Sequence, residues 1–265
     1  MEIYQIIGFA LAVLVGITLG LIGSGGSILT VPVLVYVVGI NPILATAYSL
    51  FVVGSAALVG GIKKARQQLV NFQMVLFFGT PTIVSVFVSR KYIVTYLPNE
   101  IFRINTIIFT KSMFLMLLFA IVMILAATTM IKPSKQVFDN NQNQKKLNYF
   151  AIFIIASFIG IIAGLVGAGG GFLIIPALVV IAKTPVKKAI GTSLCIIALQ
   201  SLVGFWGDDA VFIDWQFLLT FTTFAIIGIF IGDYLSKKID GYKLKIAFGW
   251  FVLTMGIYII FKELI

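Results

Sequence analysis

Between Glu2 and Lys63 the chain runs for 60 residues without one Asp, Glu, Lys or Arg. A second uncharged stretch covers Leu147 to Ala182, and shorter ones cover Gln67–Ser89, Ser112–Ile131, Ala189–Gly207, Trp215–Gly232 and Ile246–Phe261. Each is long enough to cross a hydrocarbon core, which takes roughly 20 apolar residues. A large soluble protein can bury several apolar helices, but it needs polar segments to cover them. Here hydrophobic residues make up 60% of the chain and charged residues 11%, against about 25% charged in soluble domains. The expected fold class is an all-α polytopic membrane protein.

Other classes fall away quickly. Cys195 is the single cysteine and histidine is absent, so neither an internal disulfide nor a His/Cys metal cluster is expected, and no cofactor is called for. The N-terminal apolar run outlasts a signal-peptide h-region, and no A-x-A site closes it. The formal charge of +10 points to basic cytoplasmic loops facing anionic lipid, not to nucleic acid.

The chain also contains a duplication. Gly20 to Val35 reads GLIGSGGSILTVPVLV and Gly164 to Val179 reads GLVGAGGGFLIIPALV, at an offset of 144. The register holds without a gap from Gly16 to Gly60 against Gly160 to Gly204, with 17 identities in 45 positions. Apolar composition inflates such matches, but it does not produce Gly-x-Gly-Gly followed six residues later by Pro twice. Repeated halves of this kind suggest a transporter.

Basic residues orient the halves by the positive-inside rule. Asp208, Asp209 and Asp214 form a loop without Lys or Arg, read as external, whereas Lys63, Lys64 and Arg66 mark an internal loop. Leu147 to Ala182, flanked by lysines at both ends, would leave the cytoplasm and return. As one straight helix its roughly 35 residues would measure about 52 Å, too long for one crossing. It is expected to fold as a helical hairpin broken at Gly167–Gly171. Each half then holds one Gly-broken hairpin and three crossings. Three is odd, so the second half is inverted, with both termini outside. The expected divisions are 1–131 for the first repeat, 132–147 for a cytoplasmic linker, and 148–265 for the inverted second repeat. Of the 19 basic residues 14 lie inside; Arg90, Lys91, Arg103 and Lys111 do not fit, Arg90 opening an external loop that runs to Asn105.

Unwound backbone at membrane depth is tolerated where protein buries it or where it lines a cavity. Two breaks entering from opposite sides are expected to meet near the midplane. Each starts a helix whose free N–H groups carry partial positive charge, so together they make an anion site without Lys or Arg. The candidate site residues are Gly23, Ser24, Gly25, Gly26 and Ser27 in the first copy, and Gly167, Ala168, Gly169, Gly170 and Gly171 in the second. Ser24 and Ser27 add hydroxyls to the first copy only. Ser49, Thr192, Ser193 and Gln200 are further candidates. Against this, glycines serve close helix packing, hydroxyls bond their own helix, and Gln200 could bridge helices. Cys195 reads as packing, and Pro32 and Pro176 as setting the return arms.

The doubled pattern Gly23-Ser24-Gly25-Gly26 with Pro32, Ala45, Ser49 and Leu50, and Gly167-Ala168-Gly169-Gly170 with Pro176, Ala189, Ser193 and Leu194, resembles the TauE/SafE sulfite exporter family. The resemblance implies transport, outward in many members, of a small sulfur-containing anion such as sulfite, sulfoacetate or a related organosulfonate across the cytoplasmic membrane. Ser27 stands where a third glycine is expected. The implied partners are that anion and membrane lipid, with a homodimer possible. An anion channel, an importer of another small anion such as thiosulfate, and a non-transporting membrane subunit are the alternatives. An intramembrane enzyme would need a base or metal ligands that the apolar runs lack.

Overall fold

The computed structural model describes residues 3–23, 26–104, 107–131, 149–180, 182, 184–208, 213–236 and 241–264. The expected linker 132–147 lies outside them. The elements are α1 (Ile3–Ile22), α2 (Ser27–Pro32), α3 (Pro42–Arg66), α4 (Phe72–Val88), strands β1 (Glu100–Ile104) and β2 (Ile107–Thr110), α5 (Lys111–Ile131), α6 (Tyr149–Val166), α7 (Gly171–Val180), α8 (Val186–Trp206), α9 (Trp215–Leu235) and α10 (Gly241–Leu264). Seven of the described helices are long and apolar enough to span a bilayer, so the chain is an all-α multi-pass membrane protein.

Local chemistry sets the helix starts. Asn41 precedes Pro42 and accepts from the Ile43 N–H, Asn71 accepts from the Met74 N–H, and Asp214 accepts from the Phe217 N–H. Such side chains satisfy donors that the first turn leaves open. Both over-long runs break at their glycines. Gly23 has φ +86°, and Gly167, Gly169 and Gly170 have φ +72°, +65° and +59°, left-handed values that cost residues with a Cβ. The return arms are short. In the first, backbone bonding widens beyond Pro32 into a π-helical stretch, Val33–Val37, closed by the Val38 N–H on the Val33 carbonyl at 3.1 Å.

One boundary differs from the sequence reading. Arg90 does not open a loop. Helix α4 continues through a π-helical stretch, Ser89–Val94, and Arg90 is fully buried there. The loop begins later and carries the β1–β2 hairpin. A charged residue was taken as the end of a span, whereas partners inside the fold keep it in the helix.

Helices of one half pack on helices of the other. On α1, Gly16 lies against Ala225 and Gly228 of α9, and Gly20 against Ile229 and Gly232, so the two helices run parallel. On α6, Gly160 lies against Thr82 and Ser85 of α4, and Gly164 against Val86 and Ser89, again parallel. The first helix of each half thus lies on the fourth helix of the other. Helices α3 and α8 cross antiparallel, with Gly54 beside Leu202 and Gly61 beside Cys195; α5 and α10 are also antiparallel, with Gly249 beside Met130 and Gly256 beside Ala120. Lipid tails are as apolar as side chains, so close backbone approach through small residues, not apolar burial, holds such pairs.

That packing yields a test. A Cβ at Gly16 would fall onto the Ala225 carbonyl oxygen, whereas one at Gly79 would sit 3.6 Å from Ile196 in ordinary contact. Gly79→Ala should be neutral or stabilising by up to about 1 kcal/mol, the usual helix gain. Gly16→Leu should lower the thermal midpoint in detergent and broaden the size-exclusion peak. Equal behaviour of the two variants would remove the α1–α9 contact as a determinant of the fold.

Candidate functional site

The second glycine break is enclosed by residues from both halves. A Cβ at Gly167 would lie 2.6 Å from the Thr46 carbonyl oxygen and 2.7 Å from Arg90 Nη2; one at Gly169 would lie 2.8 Å from Ser201 Oγ and 3.1 Å from Val53. Only glycine fits this closely. The Gln200 amide donates to the Gly169 carbonyl. Arg90 Nη1 donates to Thr46 Oγ1 at 3.1 Å and to Asp208 Oδ2 at 3.1 Å. Residues Gly167 to Gly171 are all buried. Ser49 lies one turn beyond Thr46 and one turn before Val53, on the helix face that meets this break. Ser49 Oγ, Ser201 Oγ and Gln200 Oε1 are buried without a hydrogen-bond partner, as are Arg90 Nε and Nη2.

At the first break, the contacts of Gly23 are apolar. A Cβ at Gly23 would meet Ile190 Cγ2 at 2.7 Å and Ile175 Cδ1 at 3.4 Å, while Gly26 folds back on Thr18 and Leu19 of α1. Ser27 is buried. Ser24 and Gly25 lie outside the described residues. Ile190 and Thr46 occupy equivalent places in the duplication, so each break is covered by the same position of the other half, once with an aliphatic side chain and once with a hydroxyl. Among the described residues, Thr46, Arg90, Gln200 and Ser201 gather at the second break from the helices facing it, while Ser27 and Thr30 are buried in α2 after the first.

The remaining candidates separate. Ser193 donates to the Ile190 carbonyl of its own helix at 2.9 Å. Thr192 accepts from the Asn71 N–H at 2.9 Å and donates to the Lys188 carbonyl at 2.6 Å, tying the start of α4 to α8. Gly23 touches α8 at Ile190, whereas Gly169 touches it at Ile197 and Ser201. Two to three helical turns, about 10–16 Å along the axis, lie between those levels. Gly23 corresponds in the duplication to Gly167, whereas Gly25, the counterpart of Gly169, lies outside the described residues; the two return helices α2 and α7 lie against each other.

Ion pairs stand at both ends of that crossing. Lys64 and Lys63 hold Asp233, each at 2.6 Å, and Arg90 holds Asp208. These positions correspond. Lys64 and Asp208 are 144 residues apart. Arg90 follows Ser89, which packs on Gly164, as Asp233 follows Gly232, which packs on Gly20. The duplication thus carries one ion pair per end with its charges exchanged. At the Lys64 end, Gly20, Gly60, Lys64, Leu194 and Asp233 line a shallow cleft.

Arg90, Asp208, Thr46 and Ser201 were not sequence candidates. A signal existed for two members of the cluster. Arg90 and Lys111 broke the positive-inside pattern, and both are buried, at 0% and 8% exposure, with Lys111 in electrostatic reach of Asp208 and Arg90.

Comparison with known proteins agrees with this architecture. Residues 8–259 match the family described as Sulfite exporter TauE/SafE. A protein of Xylella fastidiosa named "Probable membrane transporter protein" is 30% identical over 257 residues, covering 94% of this chain and 92% of that protein. "Probable membrane transporter protein YunE" of Bacillus subtilis is 24% identical over 277 residues, covering 96% and 98%. "Probable membrane transporter protein MJ0441" of Methanocaldococcus jannaschii is 29% identical over 203 residues, covering 73% and 70%. No solved structure matches the chain. Paired glycine-broken hairpins, seven spanning helices and a family match along almost the whole length lead to one conclusion: the chain belongs to the TauE/SafE sulfite exporter family and is a membrane transporter.

Proposed function

We propose that the chain moves a small sulfur-containing anion (sulfite, sulfoacetate or a related organosulfonate) outward across the cytoplasmic membrane, by alternating access along the α3–α8 crossing and its two glycine breaks. The observation that carries this reading is the set of buried polar atoms without partners, Ser49 Oγ, Ser201 Oγ and Gln200 Oε1, around the α7 N-terminus at a break in the backbone. Buried polar atoms are nearly always paired, so unpaired ones call for an explanation. A polar solute resting there, with the helix end contributing positive potential, supplies one.

Helix directions support an inverted relation between the halves. Helices α1 and α3 both run parallel to α9, the latter through Tyr48 by Asp214, Gly60 by Ile229 and Lys64 by Asp233. Helices α6 and α8 both run parallel to α4, the latter through Asn71 by Thr192, Gly79 by Ile196 and Gly204 by Val86. Since α3 and α8 are antiparallel, the two copies run in opposite senses, the arrangement from which rocking transporters are built. In this reading the Lys64–Asp233 and Arg90–Asp208 pairs close the two ends, and the Lys64 end, richer in basic residues, faces the cytoplasm. Both chain termini then lie outside. The long uncharged runs contain no carboxylate to relay protons. An inside-negative potential favours anion exit by about 2.3 kcal/mol per charge per 100 mV, so transport needs no ion coupling.

Proteoliposomes loaded with sulfite should show saturable efflux that follows an imposed potential. Gly169→Val should abolish it in protein that still elutes as a single peak. Strict dependence on a proton or Na⁺ gradient would overturn uncoupled export, and flux that never saturates would indicate a channel.

The two ion pairs should also respond unequally. Asp208→Asn leaves the Arg90 guanidinium buried without its counter-charge, a change that costs about 3–5 kcal/mol. Asp233→Asn releases Lys63, whose side chain is 37% exposed and returns to water. Thermal unfolding in detergent should therefore show the larger loss for Asp208→Asn; the reverse order would contradict the burial assigned to the Arg90 pair.

A further inference from the structure

We propose that Arg90 is the cationic ligand of the transported anion, holding two of its oxygens through the Nε and Nη2 edge of the guanidinium at the second glycine break. Arg90 is 0% exposed. Its Nη1 is occupied by Thr46 and Asp208. The other edge, Nε with Nη2, has no hydrogen-bond partner. A buried guanidinium with two N–H donors unused is costly unless a ligand uses them. That edge is a planar fork, and forks of this kind take two oxygens of one oxyanion in parallel bonds.

The surroundings favour negative charge at the fork. Gly167 borders Nη2 so closely that a Cβ would stand 2.7 Å away, so only glycine at this position leaves room for the guanidinium. The ten-residue helix α7 begins four residues later, and its N-terminal N–H groups add positive potential. Lys111 is a second buried cation, within electrostatic reach of Arg90 and of the Asp208 carboxylate that holds Arg90. An oxyanion on the fork would also compete with Asp208 for the guanidinium, linking occupancy to loosening of this end.

The inference deepens the transport reading and rests on it for the anion's identity. It adds a chemical requirement: the substrate presents at least two oxygens on one centre, as sulfite and sulfonates do and chloride does not. The test is direct binding to the purified full-length chain in detergent, by titration calorimetry with sodium sulfite, sodium methanesulfonate and sodium chloride at constant ionic strength. The wild type should bind the first two and not chloride. Arg90→Lys keeps the charge but loses the fork, and should weaken sulfite binding roughly 10- to 100-fold, the span of a charge-assisted hydrogen bond. Arg90→Gln combined with Asp208→Asn, which leaves no orphan carboxylate, should abolish it. Sulfite affinity within about twofold of wild type in Arg90→Lys, a shift of about 0.4 kcal/mol, overturns the assignment and leaves the glycine-break site standing. Chloride binding as tightly as sulfite overturns the two-oxygen requirement. A wild type that binds neither oxyanion overturns the anion-transport reading itself, and this inference with it.

Discussion

Backbone that leaves helical geometry inside a bilayer exposes N–H and C=O groups that lipid cannot satisfy, so it must be buried by other protein. Much of this fold follows from that requirement. The turn at Gly167–Gly170 is covered by Thr46, Val53 and Arg90 of the first half and by Gln200 and Ser201 of the second. The turn at Gly23 is covered by Ile175 and Ile190 of the second half. Neither half could shield its own break alone, because the covering positions come in part from the other copy. The duplication is in this sense a structural necessity: each copy supplies the lid for its partner's turn. The glycines serve this twice, by adopting positive φ and by letting the covering helix come close.

The same exchange governs how the halves are held. Gly16 and Gly20 let α1 reach α9, and Gly160 and Gly164 let α6 reach α4. Since α1 and α9 belong to different halves, as do α6 and α4, the two copies interlock and do not merely abut. Motion between them has to slide along these small-residue seams or spare them. The ion pairs at the two ends are better placed to change, because each joins two side chains and not two backbones. Their reversed polarity makes the two ends chemically different: one offers a carboxylate held by two lysines, the other a guanidinium held by one carboxylate.

The sequence made much of this architecture legible. Charge-free runs marked the spans, and their excess length together with the glycine clusters located the turns at Gly23 and at Gly167 to Gly170. The site was only half legible. Ser24 and Ser27 offer hydroxyls at the first break, where Ser24 lies outside the described residues and Gly23 meets isoleucines, while the second break, whose own motif is Ala and Gly, collects Thr46, Gln200, Ser201 and Arg90. Arg90 was assigned to a loop because a charge at the end of an apolar run usually marks the interface. Its partner lies 118 residues away, beyond the reach of any local pattern.

Composition and periodicity by themselves determined that the chain spans a membrane, that it is built from two related halves, and where each half must turn back. These follow from the cost of charges in hydrocarbon and from the length of a helix relative to the bilayer, both local properties of a segment. Only the tertiary structure decided which side chains gather at the second break, and that a buried arginine stands there with two of its three nitrogens unpaired. Those depend on which helix of one copy covers which turn of the other. That choice is made by backbone-to-backbone fit at small residues distant in the chain, and no single segment encodes it.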